Sequence, residues 1–388
     1  MSLTSLGWTF AGLACIALAV TIWRWHVRPG LKAALVVAAS AGVSLAASGT
    51  FWSLPLLALS FILVVATWHL NRTHTFNRRV NTSWMVVLVL VFVLTKLPFV
   101  PALNPITWIG ISYLFLRLTH VSLDARQGRL GEVTLPQMII YSLHPATLIA
   151  GPVDRIQHSV VEQFHLPEVP SRYWNEGFWR IFTGLVKKLI LANAFYAITA
   201  AYDAIEGRPP VLGAWIWVFA YSFYIYLDFS AYSDLAIGVG LLLGMRLPEN
   251  FANPYLQPSI TQFWQAWHIT LSTWLRDYIF FPTSRFLLRR FGSRFSPVIV
   301  LISHLVTMVS SGLWHGFRLE LVAWGAWHGI GLWLHNRWTI LGRRYKLPGI
   351  PTPISIGINY LFVSLGWVFF AMRFTHALGI FARLFGLR

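Results

Sequence analysis

Apolar runs alternate with short polar and basic segments along most of the chain. Each run has about 18 residues, enough to cross a hydrocarbon core about 30 Å thick as a helix. The pattern therefore predicts an all-α, polytopic membrane protein with about 10–12 membrane-crossing helices. The predicted spans are 6–23, 31–48, 51–68, 83–100, 104–121, 178–200, 211–227, 229–245, 297–313, 319–336 and 354–371.

Residues 140–152 differ from a simple span. The segment is apolar but is interrupted by Pro145, Gly151 and Pro152. A broken backbone at membrane depth is tolerated only where protein or a water-filled cavity satisfies its polar groups. Two interpretations remain open, a re-entrant segment and a plain helix that ends at Pro145.

Residues 259–281 have the pattern of an amphipathic helix. They follow a proline-rich loop at 246–258 and begin with Ser259 and Gln262 at the spacing of a capping box. Tryptophans and other apolar residues then recur at helical spacing, with polar residues on the opposite side. The pattern predicts one helix lying in or near the membrane interface, with His268 at the border of the tryptophan stripe.

The composition supports a membrane protein. The chain has 388 residues, of which 56% are hydrophobic and 11% are charged. Soluble proteins carry about 25% charged residues, so the composition excludes a soluble protein with a large core. Residues 1–388 are expected to form a single membrane-embedded domain. The first run, 6–23, lacks a small-residue cleavage site and is expected to remain as a helix.

The formal net charge of +17 comes from basic clusters that separate the apolar runs. This distribution is typical of cytoplasmic loops and argues against nucleic-acid binding. Placing the clusters at 24–32 and 70–79 inside the cell puts the N-terminus outside and puts Arg126 and Arg129 in the cytoplasm. The chain is therefore expected to be a multi-pass protein of the cell inner (cytoplasmic) membrane.

The stretch Ser-Ser-Gly-Leu-Trp-His-Gly at 310–316 places a histidine next to strongly apolar sequence. Ionisable groups at membrane depth are expensive, and histidine is suited to transferring protons near neutral pH. Six of the thirteen histidines lie in loops or near predicted span ends, and His304 and His376 have no supporting neighbours, so the candidates are His268, His315 and His328. If 315–328 formed one helix, its two histidines would lie roughly 20 Å apart. The predicted catalytic partner of His315 is therefore His268.

Other site chemistries have little support in the sequence. There is no His-Glu-x-x-His run, cysteine pair or carboxylate cluster, so no metal site is predicted. A serine nucleophile elbow, a P-loop and a Rossmann glycine pattern are also missing from the sequence. Without a convincing nucleophile, the sequence favours direct transfer between two bound substrates. A histidine would then act as general base on a hydroxyl as that oxygen attacks an activated carbonyl.

The few acidic residues raise a separate question. Asp228 follows an apolar, aromatic run and needs a partner at membrane depth. It either forms a salt bridge to an arginine such as Arg276 or has a catalytic role. Asp277 adjoins Arg276 and is a candidate for orienting the amphipathic helix or a histidine. Lys187 and Lys188 are expected to extend to the surface.

Several motifs occur in a fixed order in the central part of the chain. They are Leu227–Gly238, Pro248–Phe251, Asn253–Tyr255, Phe263–Tyr278, Gly312–Gly316, Trp324–Gly325 and His328–Gly329. Together they resemble the membrane-bound O-acyltransferase (MBOAT) family, in the bacterial branch of alginate O-acetylases and teichoic-acid D-alanyl transferases. The resemblance is strongest over 227–329 and extends over about 105–372.

The resemblance implies a transferase whose helices surround a central funnel through the membrane lipid bilayer. An acyl group from a cytoplasmic thioester would meet a hydroxyl of an exported cell-envelope polysaccharide or polymer. The donor would be acetyl-CoA or the phosphopantetheine of an acyl carrier protein, with no permanently bound cofactor. The acyl carrier protein and a second, exported acyltransferase are the expected partners.

The resemblance also assigns roles to residues. The family's invariant histidine corresponds to His315, the expected general base. Its second important histidine corresponds to His268, expected to position the donor or to stabilise the developing oxyanion. The other motif residues assigned to substrate binding are Trp314, Trp267, Asp228, Arg276, Asp277, His328 and Asn250.

An alternative is a non-catalytic transporter or a lipid- or polymer-binding membrane protein on the same scaffold. The retained histidines at 268 and 315 argue against it. The sequence departs from the family pattern at Phe317–Glu320, where a charged pair either alters acceptor choice or closes a salt bridge. The motifs do not separate acetyl, D-alanyl and longer acyl groups.

Overall fold

A computed structural model describes residues 29–48, 53–72, 76–96, 110–148, 151–158, 171–204 and 211–387. Within these ranges the chain is helical, with no strand and one isolated β-bridge between Phe251 and Trp267. The all-α prediction is confirmed. The predicted first span, 6–23, lies outside the described residues.

The chain forms two compact units. The first contains the described residues up to Gly184 together with Tyr232–Pro248. Helices α1 and α2 of this unit pack against α5, whose Met138, Ile140 and Leu143 are fully buried. Its helices are α1 (Pro29–Ser48), α2 (Ser53–Asn71), α3 (Arg78–Lys96), α4 (Ile111–Arg126), α5 (Leu135–Leu143), α6 (Pro145–Leu148) and α7 (Ser171–Val186).

The second unit contains Leu185–Ala231 and the residues from Glu249 onward. It begins with a π-helical segment, Lys187–Ala192, and has short 3₁₀ turns at Pro254–Leu256 and Ser293–Phe295. Its other helices are α8 (Asn193–Asp203), α9 (Val211–Leu242, which continues into the first unit), α10 (Ile260–Ala266), α11 (Ile269–Leu275), a π-helical turn (Arg276–Phe280), α12 (Phe281–Phe291), α13 (Ser296–His315), α14 (Leu319–Tyr345), α15 (Thr352–Ala371) and α16 (Phe374–Leu384). The single membrane-embedded domain expected from the sequence stays a prediction.

Helices α13 and α14 form a close pair because two glycines let their backbones approach. A Cβ on Gly312 would lie 2.1 Å from the carbonyl oxygen of Leu321, and one on Gly325 would lie 2.4 Å from that of Met308. Neither distance leaves room for a side chain. Small residues are the usual means by which helices approach closely in membranes.

Six helices of the described part of the chain are long and apolar enough to cross a membrane. Helix α14 is also long enough, at 27 residues, but its histidines, glycines and charged residues make it less apolar. The multi-pass membrane architecture predicted from hydropathy is confirmed. The six spans are Leu54–Asn71, Arg78–Lys96, Ser171–Asp203, Val211–Leu242, Ser293–His315 and Thr352–Ala371.

Helix α9 is continuous through Asp228, where the hydropathy pattern predicted two spans at 211–227 and 229–245. The division is wrong, because one helix of 32 residues covers most of both ranges. Its length of about 48 Å exceeds the thickness of a hydrocarbon core. The carboxylate does not break the helix because Lys188 pairs with it, as described below.

In the segment at 140–152, the described residues 140–148 and 151–152 are buried, and the helix is broken. Helix α5 ends two residues before Pro145, and the single turn of α6 follows. The buried side chain of Arg117 donates hydrogen bonds to the carbonyl oxygens of Ser142 at 3.0 Å and Thr147 at 2.5 Å. Protein groups thus satisfy part of the broken backbone, as required at membrane depth. The re-entrant interpretation stays a prediction.

Candidate active site

The predicted helix at 259–281 is interrupted at its centre, so the prediction of one continuous helix is wrong. Ser259 caps α10 as expected, since its hydroxyl accepts from the backbone N–H of Gln262 at 3.3 Å. Helix α10 then ends at Ala266, and Trp267 is extended. His268 lies in the left-handed region at φ 43° and ψ 52°, directly before α11. The side-chain direction of His268 therefore comes from a break and not from a helical wheel.

The loop before α10 holds this break in place. The backbone of Asn250 accepts from Ile269 N–H at 3.0 Å, and Ala252 N–H donates to the carbonyl oxygen of Ala266 at 3.0 Å. The side-chain oxygen of Asn250 also accepts from the hydroxyl of Thr270 at 2.7 Å. Asn250 is fully buried, so these contacts replace hydrogen bonds that a continuous helix would make. Its predicted role in substrate binding stays a prediction.

His268 is buried among aromatic rings, with 2% of its surface exposed. Its ring centroid lies 4.7 Å from that of Phe229, edge to face, and 6.2 Å from that of Trp314. It lies outside the six apolar spans. Burial lowers the pKa of His268 well below its usual value, and the charge of nearby His315 lowers it further. His268 is therefore a neutral imidazole at neutral pH.

His315 is the last residue of α13 and is half-buried. Its ring lies edge to face against Trp314 at 4.7 Å, Phe370 at 5.0 Å and Trp324 at 5.7 Å between centroids. Gly316 ends the helix in an extended conformation. The imidazole thus has apolar walls but is not sealed from its surroundings, as a proton-transferring group requires.

His328 lies on α14 and is fully buried. Its ring is 5.1 Å from Trp324 and 5.2 Å from Trp264. Among the described residues, neither ring nitrogen has a hydrogen-bond partner. A Cβ on Gly366 would lie 2.9 Å from its Nε2 atom, so the glycine is needed at that position. No other side chain would fit there without a shift.

The roughly 20 Å separation of His315 and His328 applies to one continuous helix, which the structure does not have. The chain turns at Gly316–Arg318, so the two histidines belong to different helices. Both imidazole rings contact the indole of Trp324. His315 and His328 are therefore closer than the roughly 20 Å spacing that a continuous helix would impose.

Four tryptophans connect these histidines. Trp267 contacts Trp367 at 4.8 Å, and Trp324 contacts Trp367 at 5.9 Å and Trp264 at 5.8 Å between ring centroids. All four are buried. The packed rings exclude water and give the site a low dielectric, which strengthens any electrostatic interaction made inside it.

Asp228 forms a salt bridge with Lys188, which differs from two expectations from the sequence. The expected partner was an arginine such as Arg276, and Lys188 was expected to extend to the surface. Both side chains belong to the second unit, and each is about one-third exposed. A lysine on a neighbouring helical segment neutralises the carboxylate more directly than a distant arginine. The next residue, Phe229, carries the ring that contacts His268.

Arg276 and Asp277 pair with each other instead, with 3.0 Å between Nε and Oδ1. They begin the π-helical turn Arg276–Phe280. Such turns are frequent at functional sites. Their assignment to substrate binding stays a prediction.

The charged residues that depart from the family pattern close a salt bridge. The Nε atom of Arg318 lies 3.3 Å from Oε1 of Glu320. Glu320 is buried in the first turn of α14, where the helix dipole also favours a negative charge. The salt bridge anticipated from the sequence is therefore present.

Comparison with known proteins decides the family. The chain matches the family model for "MBOAT, membrane-bound O-acyltransferase family" over residues 40–375. The chain belongs to this family. The resemblance inferred from the ordered motifs is confirmed.

Individual relatives show the breadth of the family. The chain is 36% identical over 285 residues to a probable alginate O-acetylase of Pseudomonas putida, covering 72% of this chain and 54% of that protein. It is 33% identical over 248 residues to a peptidoglycan O-acetyltransferase of Helicobacter pylori, covering 62% and 45%. It is 26% identical over 292 residues to a teichoic acid D-alanyltransferase of Bacillus subtilis, covering 72% of each. The chain spans about half the length of the alginate O-acetylases that it matches.

The structure adds residues to the candidate site that the sequence did not identify. Phe229 and Phe370 border the two histidines, and Trp324 lies against both His315 and His328. Phe229 and Trp324 occur in the ordered motifs, which is the signal that would have found them. Phe370 is distant in sequence, and hydropathy does not distinguish it from a core residue.

Proposed function

We propose that the protein is a membrane O-acyltransferase. It moves an acyl group of acetyl or D-alanyl type from a cytoplasmic thioester to a hydroxyl of an exported cell-envelope polymer. The observation that carries this proposal is the placement of His315 and His268 together in an aromatic, water-poor site of a protein that belongs to this family.

In this mechanism His315 is the general base. Its imidazole takes the proton from the acceptor hydroxyl while that oxygen attacks the thioester carbonyl. The carbon–oxygen ester bond forms, and the carbonyl oxygen becomes an oxyanion. When the tetrahedral intermediate collapses, the carbon–sulfur bond breaks, and His315 gives its proton to the departing sulfur. The products are the ester and the free thiol, and His315 is neutral again.

Of the two roles expected for His268, we assign it stabilisation of the oxyanion. It is neutral because burial lowers its pKa, so one ring N–H is available as a donor. A fixed donor in a water-poor site stabilises a developing charge without reorganisation. The left-handed backbone held by Asn250 fixes this donor in place.

The donor and partners follow from the same chemistry. The donor is acetyl-CoA or the phosphopantetheine thioester of an acyl carrier protein, delivered from the cytoplasm. An acyl carrier protein and a second, exported acyltransferase are the partners we propose. We place the protein in the inner membrane with its N-terminus outside, in agreement with the basic clusters.

The proposal is tested by deleting the gene and restoring variants to the cells. Mass spectrometry of envelope polymers, before and after mild base treatment, measures and identifies the ester groups. We expect wild type to restore them, His315→Ala to restore less than 1% of the wild-type level, and His268→Asn about 1–10%, as expected for loss of a general base or an oxyanion donor.

His304→Ala is the matched control, because His304 lies on α13 but packs against Phe280, outside the site. It should restore wild-type esters. If His315→Ala also restores them at the unmutated level, the acyl-transfer mechanism is wrong. If the deletion instead removes an exported solute or polymer without changing its esters, the transporter alternative is favoured.

A further inference from the structure

A cleft of about 620 Å³ opens in the second unit, at the ends of α8 and α15. It is lined by residues of α8, α9, α15 and α16. The volume lies within the range of about 300–1,000 Å³ typical of small-ligand sites. None of its residues belongs to the mechanism proposed above.

One side of the cleft is a continuous aromatic surface, which we call the aromatic wall. It consists of Trp217, Tyr221, Tyr224 and Tyr196. Trp217 stacks on Tyr221 at 5.2 Å with an angle of 8° between the rings, and Tyr224 lies 5.8 Å from Tyr221 and 5.5 Å from Tyr196. Rings with polar tips offer a flat apolar face together with hydrogen-bonding groups at their edges.

Polar groups of mixed character surround the aromatic wall. Asp203, His376 and Arg383 also line the cleft, and so does Tyr202. Tyr202 is 7% exposed, and its hydroxyl has no hydrogen-bond partner within the described ranges. A buried hydroxyl without a partner is unfavourable unless a ligand or water supplies one. The cleft therefore offers a donor and acceptor that the protein does not use.

The cleft adjoins the candidate active site. Ala371 and Met372 line it and directly follow Phe370, whose ring lies 5.0 Å from that of His315. On the other side, Tyr221 is near enough for the guanidinium of Arg318 to act on its phenol electrostatically. A ligand in the cleft would thus lie next to the helix end that carries His315.

We propose that this cleft binds sugar units of the acceptor polymer and presents a neighbouring hydroxyl to His315. This inference rests on the proposed acyltransferase function. Sugar hydroxyls both donate and accept hydrogen bonds, which matches a site with phenols, a carboxylate and an arginine together. The apolar faces of sugar rings match the aromatic wall. A phosphate-bearing lipid headgroup fits less well, because a phosphate has no apolar face to stack on the aromatic wall.

Ligand-observed NMR on the full chain in nanodiscs tests the proposal without acyl donor. The probes are chitohexaose, cellohexaose and a mannuronate hexamer, which differ in charge and substituents. We expect saturable binding of at least one. Tyr202→Phe and Asp203→Asn should each weaken it about tenfold, because each removes a polar contact from the ligand. Asp203 is exposed and Tyr202→Phe keeps the ring, so both variants should fold.

Tyr345→Phe is the matched control, because Tyr345 is exposed at the end of α14 and does not line the cleft. It should bind like wild type. His315→Ala should also keep full binding while losing transfer. In transfer assays with the oligosaccharide that binds, the cleft variants should raise its KM about tenfold and leave the donor KM unchanged.

The outcomes separate the two proposals. If the cleft variants lose oligosaccharide binding, the saccharide site is supported. If the wild-type protein binds the oligosaccharide but transfers no acyl group to it, the acyltransferase function is contradicted. Transfer with an unchanged acceptor KM in the cleft variants overturns the saccharide site alone. Failure of all three probes to bind also overturns it. Dihexanoyl-phosphatidylglycerol serves as a lipid probe in the same assay. If Tyr202→Phe and Asp203→Asn weaken the binding of this lipid but of none of the oligosaccharides, the cleft is a lipid site and the inference is wrong.

Discussion

At His268 the backbone occupies the left-handed region, which is uncommon for residues other than glycine, although histidine adopts it more often than most. Such a conformation is unfavourable by about 1–3 kcal/mol and persists where surrounding contacts impose it. Here those contacts come from the buried Asn250 and the bridge between Phe251 and Trp267. The strain coincides with a residue of the candidate active site, where strained backbone is often found.

The lowered pKa of His268 makes stability depend on pH. In the unfolded chain the histidine titrates near pH 6.5, whereas in the folded protein burial keeps it neutral to lower pH. Below about pH 6.5 the unfolded state therefore binds a proton that the folded state does not, and the free energy of unfolding falls as pH decreases. We expect His268→Asn to lose less stability than wild type between pH 7 and pH 5.

Thermal unfolding of the detergent-solubilised protein at pH 7, 6 and 5 measures this difference. Asparagine tolerates the left-handed conformation, so the variant keeps the backbone. His69→Asn, at an exposed histidine, should follow the wild-type pH dependence. Equal pH dependence in wild type and His268→Asn would contradict the assignment of a neutral, buried imidazole.

Sequence reasoning at this scale identified the histidines but not the local geometry that presents them. A histidine beside a tryptophan in apolar sequence indicates function whatever its conformation. The left-handed turn at His268 does not change the periodicity of apolar residues, because α10 before it and α11 after it both keep helical spacing. The pairing of Asp228 with Lys188 depends on two segments meeting, which a local pattern does not encode.

At the scale of helices, the packing of α13 against α14 determines where His315 and His328 lie. Both helices approach at Gly312 and Gly325, where a Cβ would clash with the partner's backbone. Backbone atoms cannot move aside as a flexible side chain can. The pair therefore depends on small residues more strongly than hydropathy indicates.

We expect Gly325→Ala to destabilise the protein and to lower acyl transfer, because its Cβ would lie 2.4 Å from the carbonyl oxygen of Met308. Overpacking of this kind is unfavourable by about 1–3 kcal/mol. Gly342→Ala is the control on the same helix, since a Cβ there meets nothing within 4 Å of the described residues. Alanine should stabilise the helix slightly at 342.

Thermal unfolding in detergent and the ester content of the restored cells measure both variants. The expected order of stability is Gly342→Ala, then wild type, then Gly325→Ala. If the two alanine variants unfold at the same temperature, the close approach of α13 and α14 is not what positions the site.

Hydropathy predicted the helices that are mainly apolar. It misplaced helix boundaries at positions where a polar contact determines whether the helix continues. The spans at α2, α3, α13 and α15 agree with the predicted ranges within a few residues. The division of α9 at Asp228 failed because a window average treats a carboxylate as an interruption even when a lysine neutralises it. The resemblance to the family pointed to the candidate site because ordered motifs retain residue identity, which a hydropathy average discards.

At the scale of the whole molecule, the distribution of basic residues predicts how the chain is oriented. Clusters at 24–32 and 70–79 lie on the same side if the two spans between them cross and return. The positive-inside rule places both in the cytoplasm. Two further spans then bring Arg126 and Arg129 to the same side, and the residues before the first span lie outside.

Cysteine labelling in spheroplasts tests this orientation. Cys15 is the chain's one cysteine, so a Cys15→Ser background leaves only the introduced thiol. Gln127 is exposed beside the basic residues at the end of α4, and Ser5 precedes the first predicted span. We expect a membrane-impermeant maleimide to label Ser5→Cys in intact spheroplasts, and to label Gln127→Cys only after permeabilisation.

The orientation matters for the chemistry because a thioester delivered from the cytoplasm and a polymer outside must reach one histidine from opposite sides. Restoration of envelope esters by both cysteine variants shows that the labelled protein is the functional one. The reverse labelling pattern would invert the topology and place the acceptor cleft on the side where the donor is made. Such a result would contradict transfer to an exported polymer, even if His315 proved essential.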